Sequence, residues 1–169
     1  MGMEMECGFA VVTPDGASGN YEEALNRFGQ LLHRLEPNLS GRESGGCFLQ
    51  FGGRFYFDCG HPEITTPECS SPEEIVRYKL AAEAVLVRVA RALNEELAPK
   101  ARVVLFGNNF DYITGNTWGC HESYLHQADP DLFPQHLIPH LVSRIVFTGV
   151  GGFGMGHVLQ FLVSPRVAW

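Results

Sequence analysis

A chain of 169 residues that is 45% hydrophobic has the length of one domain and enough apolar residues to bury a core. A net charge of −7 argues against nucleic acid or an anionic membrane as the main partner. Five cysteines, an odd number with no C-x-x-C, exclude complete internal disulfide pairing, and without a signal-peptide pattern or an apolar run of membrane-spanning length the expected location is the reducing cytoplasm.

Residues 3–12 predict the first strand, closed by the turn residues Thr13-Pro14-Asp15-Gly16. Glu4 and Glu6 sit two apart in it and share a face. Acidic residues are depleted in strands, and a like-charged pair on a covered face is costly unless a cation lies between. Oxygen ligands of this kind suit magnesium better than zinc. A solvated acidic edge strand is the other reading. Asn20, with Glu23 three on, predicts a capped helix whose apolar stripe runs through Ala24, Leu25, Phe28, Leu31, Leu32 and Leu35 to Pro37.

After a polar loop over 38–46, residues 47–51 and 54–58 predict a hairpin turning at Gly52-Gly53. Strict alternation puts Arg54, Tyr56 and Asp58 on one face and Phe55 and Phe57 on the other. Past a turn, Glu63, Thr65, Thr66 and Glu68 follow in a polar stretch. An amphipathic hairpin with a polar loop accounts for the pattern as well as a catalytic face does.

Ser71, Pro72 and Glu74 start a long helix that ends near Pro99, apolar so broadly that burial on more than one side is expected, with Arg77, Arg88 and Arg91 solvated. Residues 102–106 predict a β-branched strand, and Asn108-Asn109-Phe110-Asp111 a turn held by its own side chains. Residues 117–125 predict a strand on which His121 and Glu122 face opposite ways; His121 is either a nucleotide or metal contact or a structural histidine. Residues 131–147 predict a helix despite Pro134 and Pro139, with a core stripe of Leu132, Phe133, Leu137, Ile138, Leu141, Val142, Ile145 and Val146. The glycines at 149, 151 and 154 spell G-x-G-x-x-G, but a helix precedes them and a strand-like run over 157–163 follows. That order is the reverse of a dinucleotide fingerprint, which is set aside. Zinc is set aside too, because Cys59, His61, Cys69 and Cys120 match no known ligand spacing. No P-loop is present, and nothing singles out one thiol as a nucleophile.

Five pieces, M-G-M-E-M-E-C-G, R-F-Y-F-D-C-G-H-P-E-I-T-T-P-E-C, N-N-F-D, G-C-H-E-S-Y-L and L-V-S-R, occur in the order of one family. The chain resembles the ligases of the prokaryotic ubiquitin-like protein Pup and their sister depupylases. The resemblance implies an α+β fold related to glutamine synthetase: a curved, mainly antiparallel sheet with helices on its convex face and the acidic site on its concave face. Residues 1–169 would be the N-terminal part of a single catalytic domain, without its remaining strands and small C-terminal domain.

It also implies a reaction. ATP phosphorylates the side chain of Pup's C-terminal glutamate, and a substrate lysine displaces the phosphate. Glu4, Tyr56 and Glu63 match the family's magnesium positions, with Glu6 an auxiliary carboxylate; Arg54 and Thr66 match its nucleotide positions, with His121 a further candidate contact, and Asp58 matches the catalytic acid, placed to act as base toward the lysine. Gly107, Trp118, Ser123 and Pro165 before Arg166 depart from the pattern. Pup is acidic, so its docking patch would lie largely outside this chain. The interval between E-x-E and Asp58 leaves no room for the long depupylase loop, which favours a ligase. A depupylase or deamidase, and a truncated homologue without activity, are the alternatives.

Overall fold

The computed structural model describes residues 1–36, 38–39, 46–112, 115–154 and 159–164. They fall into two compact units, Met1–Gly107 with Gly119–Tyr124, and Asn108–Trp118 with Leu125–Trp169.

The first unit carries a six-stranded antiparallel sheet in the order β3-β4-β5-β6-β1-β8. Its strands are β1 (Gly2–Glu6), β3 (Asn38–Leu39), β4 (Gly46–Leu49), β5 (Arg54–Asp58), β6 (His61–Thr65) and β8 (Cys120–Ser123). A second ladder pairs β2 (Gly8–Val12) with β7 (Arg102–Phe106). The expected single strand over 3–12 is therefore two strands. At Cys7, whose N–H donates to Pro62 O at 2.9 Å, the chain leaves one ladder for the other. Gly8, paired with Phe106 across the second ladder, leaves room for that ring, since a Cβ there would lie 2.4 Å from it.

The stretch expected as a polar loop after Asp58 is also a strand, β6. Cys59 (φ 48°) and Gly60 (φ 84°) form the two-residue turn, both with the positive φ that tight hairpins require.

Helices α1 (Tyr21–Leu35) and α2 (Pro72–Leu97) cover one face of the sheet. Both start as their sequences predict: Asn20 Oδ1 accepts the Glu23 N–H at 3.2 Å, and Ser71 Oγ accepts the Glu74 N–H at 3.2 Å. Phe28, Leu31 and Leu32 of α1 and Val85, Leu86, Val89 and Leu93 of α2 pack with Phe9, Phe55, Ile64 and Val103 into the core. The broad burial expected of α2 does not occur, because Val76, Leu80 and Val87 are exposed; so is Leu35 of α1. Arg77, Arg88 and Arg91 are exposed as expected, and Arg88 also pairs with the buried carboxylate of Glu36.

Asn94 fixes α2 to β7 in a way that no sequence pattern announces. Its side-chain amide donates to Val103 O at 3.0 Å and accepts from Val103 N–H at 2.6 Å, so it substitutes for a strand partner. Asn94→Ala is expected to cost about 1–3 kcal/mol, because it strands two backbone groups of a buried residue; the shift in urea midpoint measures it.

The second unit holds α3 (Phe133–Thr148) and the short hairpin of β9 (Gly152–Phe153) and β10 (Phe161–Leu162). The helix forms around Pro134 and Pro139 as expected, yet none of its described residues is buried. Of the predicted core stripe, Phe133, Leu137, Leu141 and Ile145 are half-buried, and Ile138, Val142 and Val146 are between 56% and 76% accessible. The asparagine turn forms as predicted: Asn108 bonds the backbone of Asn109 and Phe110, and Asn109 Nδ2 donates to Gly151 O at 2.8 Å. The glycine-rich segment links helix to strand, not strand to helix. Pro37, residues 40–45 of the predicted loop, residues 157–158 of the last predicted strand, and Pro165 with Arg166 lie outside the described residues.

Among the described residues, no helix is long and apolar enough to cross a membrane.

Candidate active site

Register decides which side chains share the uncovered face of the sheet. Residues paired directly across antiparallel strands project the same way, and a slip of one residue would reverse them. Phe48 pairs with Arg54, Glu4 with Thr65, and Glu4 with His121. Arg54 N–H donates to Thr65 Oγ1 at 2.9 Å, which joins these pairs into one row running Phe48, Arg54, Thr65, Glu4, His121. The next row holds Tyr56, Glu63 and Glu6. Asp58 and His61 follow at the turn. Phe55 and Ile64 point the other way, into the helices.

Acids from three strands therefore meet. Glu6, Asp58 and Glu63 each bring a carboxylate oxygen within 4.8 Å of the others. At that separation two ionised carboxylates repel by roughly 3–4 kcal/mol for an effective dielectric near 20. Glu63, only 3% exposed, carries most of the strain. Burial, a shared hydrogen bond with Glu6, and the charges of Glu4, Glu6 and Asp58 push its carboxyl up to about 8. Glu6 is fixed from the other side, where its Oε2 accepts the Gly119 N–H at 2.5 Å. Burial thus grades across the group, from covered Glu63 through half-covered Glu6 to exposed Asp58.

Of the residues expected at the site, Glu4, Glu6, Arg54, Tyr56, Asp58, Glu63 and His121 share one face. Glu4 is not in the close triad; its Oε2 lies 2.7 Å from His121 Nδ1, so the histidine meets a carboxylate rather than standing apart. Arg54 lies beside the Tyr56 ring, 4.9 Å from guanidinium carbon to ring centre. Thr66 is elsewhere: it is 7% exposed, and its Oγ1 accepts the Met3 N–H at 2.9 Å, tying β6 to β1. Thr65 lies on the site face, opposite Glu4 in register.

The donor set is all oxygen and acidic, which fits a hard divalent cation. Among the described residues no cysteine or histidine joins such a group. Thiol chemistry is disfavoured as well. Burial, with Glu83 and Glu63 nearby, pushes Cys7 up to about 11, and Asp58 raises the Cys59 thiol.

A family model described as Pup-ligase protein matches residues 2–168. A Pup–protein ligase of Corynebacterium aurimucosum is 36% identical over 158 residues, covering 89% of this chain and 32% of that protein. Another, of Acidimicrobium ferrooxidans, is 39% identical over 119 residues, covering 67% of this chain and 26% of that protein. A crystal structure of the complex between Pup and its ligase PafA superimposes with a TM-score of 0.82 at 28% identity, over 99% of this chain and 34% of that one. The chain spans about a third of the length of the curated relatives it matches.

Proposed function

The chain belongs to the Pup-ligase family, as an N-terminal portion of its α+β, glutamine-synthetase-like fold, and on that premise we propose that it contributes the magnesium and ATP site of an enzyme joining Pup's C-terminal glutamate to substrate lysines. The single observation that carries this reading is the meeting of Glu6, Asp58 and Glu63 on one sheet face. Residues 1–169 are then the first part of one catalytic domain, completed by further strands and a small C-terminal domain.

Glu6 and Glu63 are the proposed primary metal ligands, with Glu4 and Tyr56 on the same face to extend the set. Magnesium bound there would neutralise charge on the phosphates of ATP during transfer. Arg54, held beside Tyr56, is placed to receive phosphate oxygens with its fixed fork of donors. His121 orients Glu4 through the bond between them. Thr66, with its oxygen engaged by Met3, acts on the site through the β1–β6 junction and not by touching nucleotide. Asp58, exposed at the end of β5, is the acid of the group that a lysine on a folded protein can reach. A lysine amine is protonated at neutral pH and attacks only after a base removes that proton, the role proposed for Asp58. The enzyme would work in the cytoplasm on Pup and lysine-bearing proteins.

Titrating the chain with ATP tests the site. Binding is expected to require magnesium and to weaken at least about 10-fold in Glu6→Gln, a loss in keeping with removal of a charged ligand. Equal affinity for ATP with magnesium and with EDTA would remove the proposal.

A second reading, a homologue without activity, draws on the departures from the family pattern at Gly107, Trp118 and Ser123. It predicts the same metal-dependent binding with no Pup transferred.

A further inference from the structure

Phe48 lies at one end of the row that runs Phe48, Arg54, Thr65, Glu4, and neither composition nor motif singles it out. Its chain neighbours Cys47 and Leu49 are buried in the core, each 1% exposed, whereas Phe48 on the opposite face is 51% exposed. An exposed phenylalanine alone needs no explanation. This one is paired in register with the arginine of the site. The Arg54 guanidinium carbon lies 6.0 Å from the Phe48 ring centre and 4.9 Å from that of Tyr56, so a cation sits between two aromatic rings.

The dimensions of the row suit a particular shape of ligand. Phe48 on β4 and Glu63 of the carboxylate triad on β6 are two strand spacings and one row apart, about 12 Å. Arg54 stands between them, next to the ring and one strand from Glu63. An elongated ligand with an anionic end at the carboxylate-bound cation and a flat apolar end would meet the cation first, then the guanidinium, then the ring. A nucleoside triphosphate has that order of parts.

We infer that Phe48 is the stacking platform for the nucleotide base, with Arg54 bridging from base to phosphates. The inference rests on the nucleotide reading of the acidic site and adds to it the surface that holds the base. A ring face recognises any base by stacking, so Phe48 supplies affinity and not discrimination between adenine and guanine.

The experiment compares magnesium-ATP, magnesium-GTP and magnesium-tripolyphosphate, the last having phosphates and no base. Wild-type chain, Phe48→Ala and Phe48→Trp are titrated with each. Phe48→Ala is expected to weaken both nucleotides by a similar factor, about 5- to 100-fold, the range of base–aromatic stacking, and to leave tripolyphosphate unchanged. Phe48→Trp should bind nucleotide as wild type does, with its indole fluorescence altered by nucleotide and not by tripolyphosphate. Unchanged ATP affinity in Phe48→Ala overturns the inference, and so does an equal loss for ATP and tripolyphosphate. Failure of the wild-type chain to bind any of the three overturns the nucleotide reading itself, and this assignment with it.

Discussion

Asp58→Asn is expected to lower the rate of lysine-linked Pup formation by about 100- to 10,000-fold, the usual loss on removing a general base. The assay holds the protein with Pup ending in glutamate, ATP, magnesium and a lysine-bearing acceptor. The size of the loss follows from what the amide retains. Asparagine keeps the shape of the side chain and one oxygen, but it cannot take a proton from an amine. Asp58 also stands within 4.8 Å of Glu6 and Glu63, so a role as metal ligand must be separated from a role as base. Magnesium-ATP affinity separates them. A base at Asp58 predicts affinity within a few-fold of wild type and a collapsed rate. Affinity that collapses together with the rate would make Asp58 a ligand, and an undiminished rate would leave the reaction without this base. If neither wild type nor variant transfers Pup while both bind magnesium-ATP, the reading without activity is the correct one.

The local features of this site are legible in its residues, but their convergence is not. Alternation in Arg54-Phe55-Tyr56-Phe57-Asp58 assigns both faces of β5, and the spacing of Glu4 and Glu6 puts them together on β1. Neither pattern states how β1, β5 and β6 register. The meeting of Glu6 with Glu63 is a matter of pairing across 57 positions, where a one-residue slip would send one acid into the helices. β6 escapes a sequence reading because His61-Pro62-Glu63 looks like loop chemistry; proline is depleted in strands, and only its neighbours in the folded sheet make it a strand residue.

Burial of the helices shows a different limit. Apolar periodicity in α3 correctly predicts a helix. It does not say whether the covering surface belongs to this chain, and none of the described residues of α3 is buried. α2 misleads in a related way. Its apolar residues wrap most of the helix, but α1 and the sheet occupy one side, and Val76, Leu80 and Val87 remain outside. The clamp from Asn94 to Val103 carries no periodic signature at all.

The other large effect concerns the same acids without their cation. In the folded chain the Glu63 carboxyl is held up to about 8, against 4.5 for an ordinary glutamate. An unfolded chain therefore gives up this proton first as the pH rises. Between 4.5 and about 8 the native state binds more protons than the unfolded state, and stability falls with pH. Below that window the group costs nothing; above it the full cost is present. In EDTA the urea midpoint of the wild-type chain should accordingly drop between about pH 5 and about pH 8. Magnesium should restore it at the upper end, because binding to the ionised native state is linked to folding. Glu63→Gln removes the titrating group while keeping its size. Its midpoint should be flatter over the same range and respond little to magnesium. Wild type and Glu63→Gln losing stability in parallel would show that Glu63 does not bear the crowding of charge, and relief of that crowding could then no longer be what draws a cation to the carboxylate triad.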